Sequence, residues 1–203
     1  MRGDADFFCL DGRTYRDPPP APGNGDTARS LFGADQIGWL EKGLKESNAA
    51  FKIIAAAEPL IGEGREGAPA SDGSWAAFQP EQKNFLEWLA AEHVGGVIFI
   101  VGGGPDATPG QVFGALSALK RTVAGAPAYP LLQLTSAPLN VAAAAGEGIP
   151  ADDERLGAPV AAANFGTLEF GGQGDNRFVT LRLRDGDGKI RAEQTIFAGQ
   201  LKK

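Results

Sequence analysis

Histidine and cysteine are almost absent from this chain, which has one of each in its 203 residues. A hydrolytic site with two metal ions needs several carboxylate, histidine or asparagine ligands around ions about 3.5–4 Å apart. His93 and Cys9 cannot supply such a set, and the acidic residues are scattered over loops and helix faces. We therefore predict no catalytic residue, no metal ligand and no bound cofactor.

Long apolar runs and basic clusters are also missing. No stretch of about 18 apolar residues is present, so the sequence predicts no transmembrane segment. Met1-Arg2-Gly3-Asp4 lacks the basic and apolar regions of a signal peptide, which leaves localisation open. A net charge of −6 without a Lys/Arg patch argues against a nucleic-acid partner. The length predicts a single domain over residues 1–203 with a substantial core.

Apolar runs and helical periodicity alternate along the chain, which indicates an α/β fold. Helices are predicted over Ala34–Ser47, Pro80–His93 and from Thr108 to about Val123. Strands are predicted over the following segments: Asp6–Leu10, Phe51–Ala57, Val97–Val101, Pro130–Thr135, Phe165–Phe170, Arg177–Arg184 and Lys189–Phe197. The segment from Val141 to Ala163 is rich in Ala and Gly and is predicted to be a long surface connection.

Local signals support these boundaries. Ile37, Leu40 and Leu44 share one face of the first predicted helix. Pro80 suits the first turn of the second helix, and Thr108-Pro109 resembles the start of a third. The turn residues Asp185-Gly186-Asp187-Gly188 between two alternating segments predict a C-terminal antiparallel β-hairpin.

A series of short segments carries a family resemblance. The predicted strand Val97–Val101 runs into Gly102-Gly103-Gly104-Pro105, and six further segments occur along the chain in the same order as in the family. They are Phe7–Asp17, Leu31–Leu40, Ser47–Ile54, Asp72–Glu81, and Leu134–Leu139 with Asn164–Gly166. In this order they resemble the C-terminal half of a PhoD-like alkaline phosphatase of the metallophosphatase superfamily.

That resemblance implies a fold and a lost site. The implied fold is α/β: a partial metallophosphatase-like sandwich, with a mixed sheet flanked by helices and the C-terminal hairpin. In the family, the strand corresponding to Val97–Val101 ends in Gly-Asp-x-His, which serves the metal centre. Gly103 stands in the Asp position and Pro105 in the His position, so this motif is degenerate at Gly102, Gly103, Gly104 and Pro105. The resemblance also implies that the family's N-terminal half, which supplies further metal ligands, is missing from this sequence. Members of the family are commonly exported.

Two functions follow from the resemblance. The first is a non-catalytic structural or interaction subunit built on a degenerate PhoD-like domain. The second is the C-terminal part of a metal-dependent phosphomonoesterase or phosphodiesterase completed by another chain. The continuous apolar sequence of strands such as Phe51–Ala57 predicts that both of their faces are buried. A face of the sheet left uncovered would therefore expose a large apolar patch. We therefore expect another protein chain to cover the missing half, and Trp39 and Trp88 to be at least partly buried.

Several residues have a structural and a functional interpretation. Gly102-Gly103-Gly104 is either a tight turn or an anion-binding nest, and His93 is either a helix cap or a ligand. Asp185 and Asp187 fit a hairpin better than a calcium loop. Asp72 near Trp75, and Asp11 with Arg13, are expected to anchor loops. Cys9 is expected to be a buried apolar residue. In each case we favour the structural role.

Overall fold

The computed structural model describes residues 4–18, 29–61, 74–102, 114–119, 127–136, 156–157, 160 and 162–202. Its helices are α1 (Ala34–Glu46) and α2 (Gln79–Ala91), the second preceded by a 3-10 helix at Trp75–Phe78. Its strands are β1 (Ala5–Cys9), β2 (Phe51–Ala56), β3 (Val97–Gly102), β4 (Ala115–Leu119), β5 (Leu131–Ser136), β6 (Asn164–Gly171), β7 (Phe178–Asp185) and β8 (Ile190–Phe197). No helix of this described part is long and apolar enough to cross a bilayer.

Five of the described strands form one mixed sheet in the order β1-β2-β3-β5-β4. β1, β2, β3 and β5 are parallel, and β4 is antiparallel to β5. The apolar segments β2, β3 and β5 are therefore adjacent strands of one sheet. Their continuous apolar sequences are typical of strands that are buried on both faces.

The two helices connect neighbouring parallel strands. Leu40 and Leu44 of α1 are buried, and Ile37 packs beside them, as the helical spacing predicts. α2 has Pro80 in its first turn and buries Phe85 and Leu89. Right-handed crossovers of this kind place both helices on the same face of the sheet.

A second sheet covers the opposite face. β6, β7 and β8 form an antiparallel sheet in that order, which confirms the C-terminal strands and the hairpin. Gly166 of β6 approaches so closely that a Cβ there would lie 2.7 Å from Leu134 Cδ2 of β5. Ser136 Oγ donates to the Asn164 backbone oxygen at 3.2 Å. The apolar face that would otherwise be exposed is therefore covered within the chain, because these strands supply the second layer of the sandwich.

Adjacent residues of β1 show the two layers clearly. The Phe8 ring lies edge-on to Trp39 of α1, with ring centroids 6.0 Å apart. The Phe7 ring points the other way, 6.5 Å from Phe170 of β6. Cys9 shares the exposed side with Phe7, so its predicted burial is wrong: Phe8 and Leu10 occupy the buried positions.

The predicted third helix is wrong over its described residues. Ala115–Leu119 form β4, and Leu116 and Ala118 are buried against the rest of the core. Pairing with β5 satisfies the backbone of this short apolar segment better than an isolated helical turn would. The start signal Thr108-Pro109 lies outside the described residues.

Two further expectations are settled by burial. Trp88 is half-buried and stacks on Phe85 with centroids 6.0 Å apart, whereas Trp39 remains 52% exposed. Val160, inside the predicted surface connection, is buried and pairs with Gly114 in an isolated β-bridge. Most of that connection lies outside the described residues.

Candidate functional site

The carboxyl ends of the parallel strands define the candidate site. Ligands of open parallel sheets bind outside this edge, in the loops that follow the strands. Here the edge brings together the turn after β1, the Glu58 loop after β2 and Gly102 at the end of β3. The N-termini of α1 and α2 lie at the same edge because each helix follows a parallel strand.

The turn after β1 is built around Asp11. Its Oδ1 accepts from the backbone N–H groups of Arg13 and Thr14, both at 2.9 Å. Hydrogen bonds from the Thr14 hydroxyl and from these N–H groups hold the pKa of Asp11 below its ordinary value of 3.8. Gln36 of α1 accepts from the Asp11 backbone N–H and donates to the Asp11 carbonyl, at 2.8 and 3.0 Å. Asp11 therefore holds a rigid turn beside the first turn of α1.

Glu58 is the unexplained group at this edge. It follows β2 directly, is fully buried, and neither of its carboxyl oxygens has a hydrogen-bond partner in the described part of the chain. The carboxyl group lies against Gly12, where a Cβ would be 2.5 Å from Oε2. A buried carboxylate without a partner is costly. Gly12 therefore leaves room for an acid that contributes nothing evident to packing.

The loop that carries Glu58 is anchored from two sides. Gln133 Oε1 of β5 accepts from the backbone N–H groups of Leu60 and Ile61, both at 2.8 Å. Gln82 of α2 donates to the Leu60 carbonyl at 2.8 Å. Because side-chain amides bonded in this way fix the position of the backbone, Glu58 is held in place by the scaffold.

A second anchored cluster lies where α2 begins. Glu81 accepts from the Ser30 hydroxyl, from the Leu31 and Phe32 backbone N–H groups and from Trp75 Nε1. The buried Phe78 ring, next to this cluster, has the guanidinium carbons of Arg16 and Arg29 5.5 and 4.5 Å from its centroid. Such cation–π contacts join the segment after β1 to the start of α2.

The residues singled out from the sequence are not assembled into one site. Gly102 ends β3, but Gly103, Gly104, Pro105 and Asp72 lie outside the described residues. His93 lies two residues after the end of α2 with a positive φ of 56°, and its Nδ1 is 3.1 Å from the Ala90 carbonyl oxygen. This is the geometry of a helix C-cap.

Asp185 is part of the hairpin turn and belongs to no metal site in the described residues. Its carboxylate accepts from the Asp187 and Lys189 backbone N–H groups and from Arg191 Nε. Burial alone would raise the pKa of Asp185, but the Arg191 hydrogen bond and charge and the backbone donors lower it below 3.8. Asp187 is exposed.

The donor set does not fit a two-metal centre. The described residues contain no group of three or more His, Cys, Asp or Glu side chains that could hold an ion. Glu58 is a single carboxylate, whereas a two-metal site needs several converging ligands.

Sequence reasoning missed Glu58, Glu81 and Gln133. Glu58 had one available signal, since an acid directly after a buried strand of a parallel sheet lies at the ligand edge. Gln133 is a polar residue inside the apolar run of β5 and could have been flagged as a buried anchor. The Glu81 contacts join segments about 50 residues apart, which no local pattern reveals.

Comparison with protein families finds a match to the first half of the chain. The model of the PhoD-like phosphatase family matches residues 2–104, just over half of the chain. The chain belongs to the PhoD-like phosphatase family. The match ends at Gly104, so it includes β1, β2 and β3 with the edge that carries Asp11 and Glu58.

A solved structure shows the same fold. The chain is similar to "Structure of PhoD" with a TM-score of 0.51 and 21% sequence identity, over 66% of this chain. At that identity the likeness concerns the fold alone. The chain spans about a quarter, 26%, of the PhoD chain. No curated protein matches it.

Proposed function

We propose that this chain is a non-catalytic interaction subunit built on a degenerate PhoD-like domain, which spans residues 1–203 as a single unit. Its partner is another protein chain that supplies the part of the fold corresponding to the family's N-terminal half. The proposal goes beyond family membership and rests on one structural observation. β1 ends the main sheet in the described residues with an unpaired side, and Phe7 on it is 55% exposed.

Residue chemistry supports the lack of catalysis. Gly103 and Pro105 stand where the family motif has Asp and His, and neither side chain can ligate a metal. At the described edge, Asp11 uses Oδ1 to hold its own turn. Among the described residues, Glu58 belongs to no group of three or more side chains that could hold a metal ion.

Glu58 also favours the second candidate function, the C-terminal part of a metal-dependent phosphomonoesterase or phosphodiesterase. Its buried, unpartnered carboxyl group at the ligand edge would be explained if another chain brought the remaining donors. In that case Glu58 would complete a site that this chain cannot form by itself.

Hydrolysis assays test whether the chain is catalytic by itself. The purified chain is incubated with p-nitrophenyl phosphate and with bis-p-nitrophenyl phosphate, with and without Ca²⁺, Zn²⁺, Mn²⁺ or Fe³⁺. We expect no turnover above that of a heat-denatured control. Metal-dependent turnover that a chelator abolishes would refute the non-catalytic proposal, and its loss in Glu58→Gln would assign the carboxyl group to the site.

A further inference from the structure

The free edge of β1 has a definite hydrogen-bonding pattern. Leu10 N–H donates to Ala55 and the Asp4 carbonyl accepts from Phe51, so even-numbered residues of this segment face β2. In a parallel strand the N–H and C=O of one residue point to the same side. Ala5, Phe7 and Cys9 therefore direct their backbone groups away from β2, and no described strand pairs with them.

A groove lies beside this edge. It has a volume of about 450 Å³ and is open to solvent. Its walls come from β1 and from the end of α1 with the link that follows: Asp6, Phe7, Phe8, Gly43, Glu46, Ser47, Asn48 and Ala49. An extended segment paired with β1 would place its alternate side chains in or beside the groove.

Apolar surface flanks the edge on both faces of the sheet. Phe7 is 55% exposed beside Phe170, and Trp39 is 52% exposed beside Phe8. Exposed aromatic rings along an unpaired strand are features that soluble proteins normally avoid, because they promote association.

The charge of the groove selects the occupant. Among the described residues, the exposed Asp6 carboxylate accepts one hydrogen bond, from the neutral Ser47 hydroxyl at 2.6 Å, and Glu46 is exposed on the same rim. The buried Lys52 ammonium lies nearby but donates to the Ala49 and Gly95 carbonyls. Two carboxylates against one ammonium leave the groove acidic, so a second copy of this edge would bring like charges together.

We propose that the β1 edge binds an extended segment of another polypeptide, with alternating apolar and basic side chains, by addition as a further strand. Backbone hydrogen bonds to Ala5, Phe7 and Cys9 supply affinity, and Asp6 with Glu46 select basic residues. This inference rests on the proposed interaction function and gives it a location and a partner chemistry.

The test uses the full chain and a capped seven-residue peptide of alternating lysine and valine. We expect shifts of the Ala5, Phe7 and Cys9 amide signals in ¹H–¹⁵N spectra. Fluorescence anisotropy should show binding about tenfold stronger than that of a glutamate–valine peptide. Methylation of alternate peptide nitrogens should abolish binding, because it removes the donors that β1 needs.

Substitutions in the protein test the same contact independently of the peptide. Phe7→Pro removes an outward N–H that β2 does not use, a position where an edge strand tolerates proline. We expect it to weaken binding about tenfold or more. Phe7→Ala keeps the N–H and should weaken peptide binding less. Phe197 is a 46% exposed aromatic residue on β8, and Phe197→Ala should bind the peptide as tightly as the wild type. Asp6→Lys with Glu46→Lys should invert the charge preference.

The outcomes distinguish this inference from the proposed function. Equal binding of both peptides, or amide shifts confined to residues away from β1, would overturn it. So would a dimer in sedimentation that Phe7→Pro dissociates, because a second copy would then be the occupant. If Phe7→Pro does not fold, the methylated peptide still tests whether backbone hydrogen bonds to β1 hold the segment. None of these results depends on hydrolytic activity, which tests the proposed function separately.

Discussion

At the scale of single residues, Glu81 ties three segments together. Four donors of the described residues converge on its carboxylate: the Ser30 hydroxyl, the Leu31 and Phe32 N–H groups and Trp75 Nε1. Trp75 and Phe32 are themselves buried, with their rings 5.2 Å apart. Removal of this acceptor leaves several donors unsatisfied at once.

We therefore expect Glu81→Ala to lower the free energy of unfolding by about 3 kcal/mol or more, since each unsatisfied buried donor costs about 1–3 kcal/mol. Chemical denaturation monitored by tryptophan fluorescence measures the change. Glu87→Ala, which removes a half-buried acid paired with Lys83 on the same helix, is the control and should cost under about 0.5 kcal/mol. Equal losses in both variants would contradict this role of Glu81.

Glu58 leads to the opposite expectation. Its buried carboxyl group has no partner in the described part of the chain, and Gln has the same shape without the charge. Glu58→Gln should raise the free energy of unfolding by about 1 kcal/mol, because a neutral amide is cheaper to bury than a carboxylate. A loss of stability in the same denaturation experiment would mean that the carboxyl group has a stabilising partner.

At the scale of secondary-structure elements, α1 contains two interior glycines in different surroundings. A Cβ at Gly38 would meet nothing within 4 Å, whereas one at Gly43 would lie 2.7 Å from Phe8 Cε1. Gly38→Ala should stabilise the protein by about 0.5–1 kcal/mol through helix propensity. Gly43→Ala should destabilise it, because the new methyl group displaces the Phe8 ring. Thermal unfolding of both variants is the measurement, and equal stabilisation would refute the contact.

The stability of the β7–β8 hairpin should depend on pH through the carboxylate of Asp185. Its carboxylate pKa is lower in the folded chain than its ordinary value of 3.8, so the charged form stabilises the fold. That contribution is fully present above pH 3.8 and is lost as the pH falls through the folded pKa. Asp185→Ala should therefore lower the melting temperature at pH 7. It should also make the melting temperature decrease less when the pH is lowered through the folded pKa. Asp187→Ala, at the exposed turn position, should behave like the wild type, and a wild-type response of Asp185→Ala would contradict the assignment.

At the scale of the whole molecule, the second sheet closes the core. Val179, Leu181 and Leu183 of β7 are fully buried against the main sheet. We expect the full chain to unfold cooperatively and to bind the dye ANS weakly. A 1–161 fragment should bind the dye strongly and aggregate, because it exposes the apolar face of β3 and β5. Strong dye binding by the full chain as well would show that this face is not covered in solution.

Local patterns were sufficient for much of this architecture. The helical spacing of Leu40 and Leu44, the apolar runs of β2, β3 and β5, and the turn residues after Asp185 each encode an element within about 15 residues. Their family order was also visible, because each motif is a short segment. Neighbouring positions in such segments determine backbone conformation directly, so the pattern and the structure agree.

Tertiary contacts decided the rest. Ala115–Leu119 became a strand because β5 offered it a partner, and Cys9 became exposed because Phe8 and Leu10 took the buried side of β1. The cover over the main sheet comes from β6–β8, at the far end of the chain. The burial of Glu58 and the donors around Glu81 depend on residues distant in sequence. These features follow from which surfaces meet in space, and no local spacing of residue types carries that information.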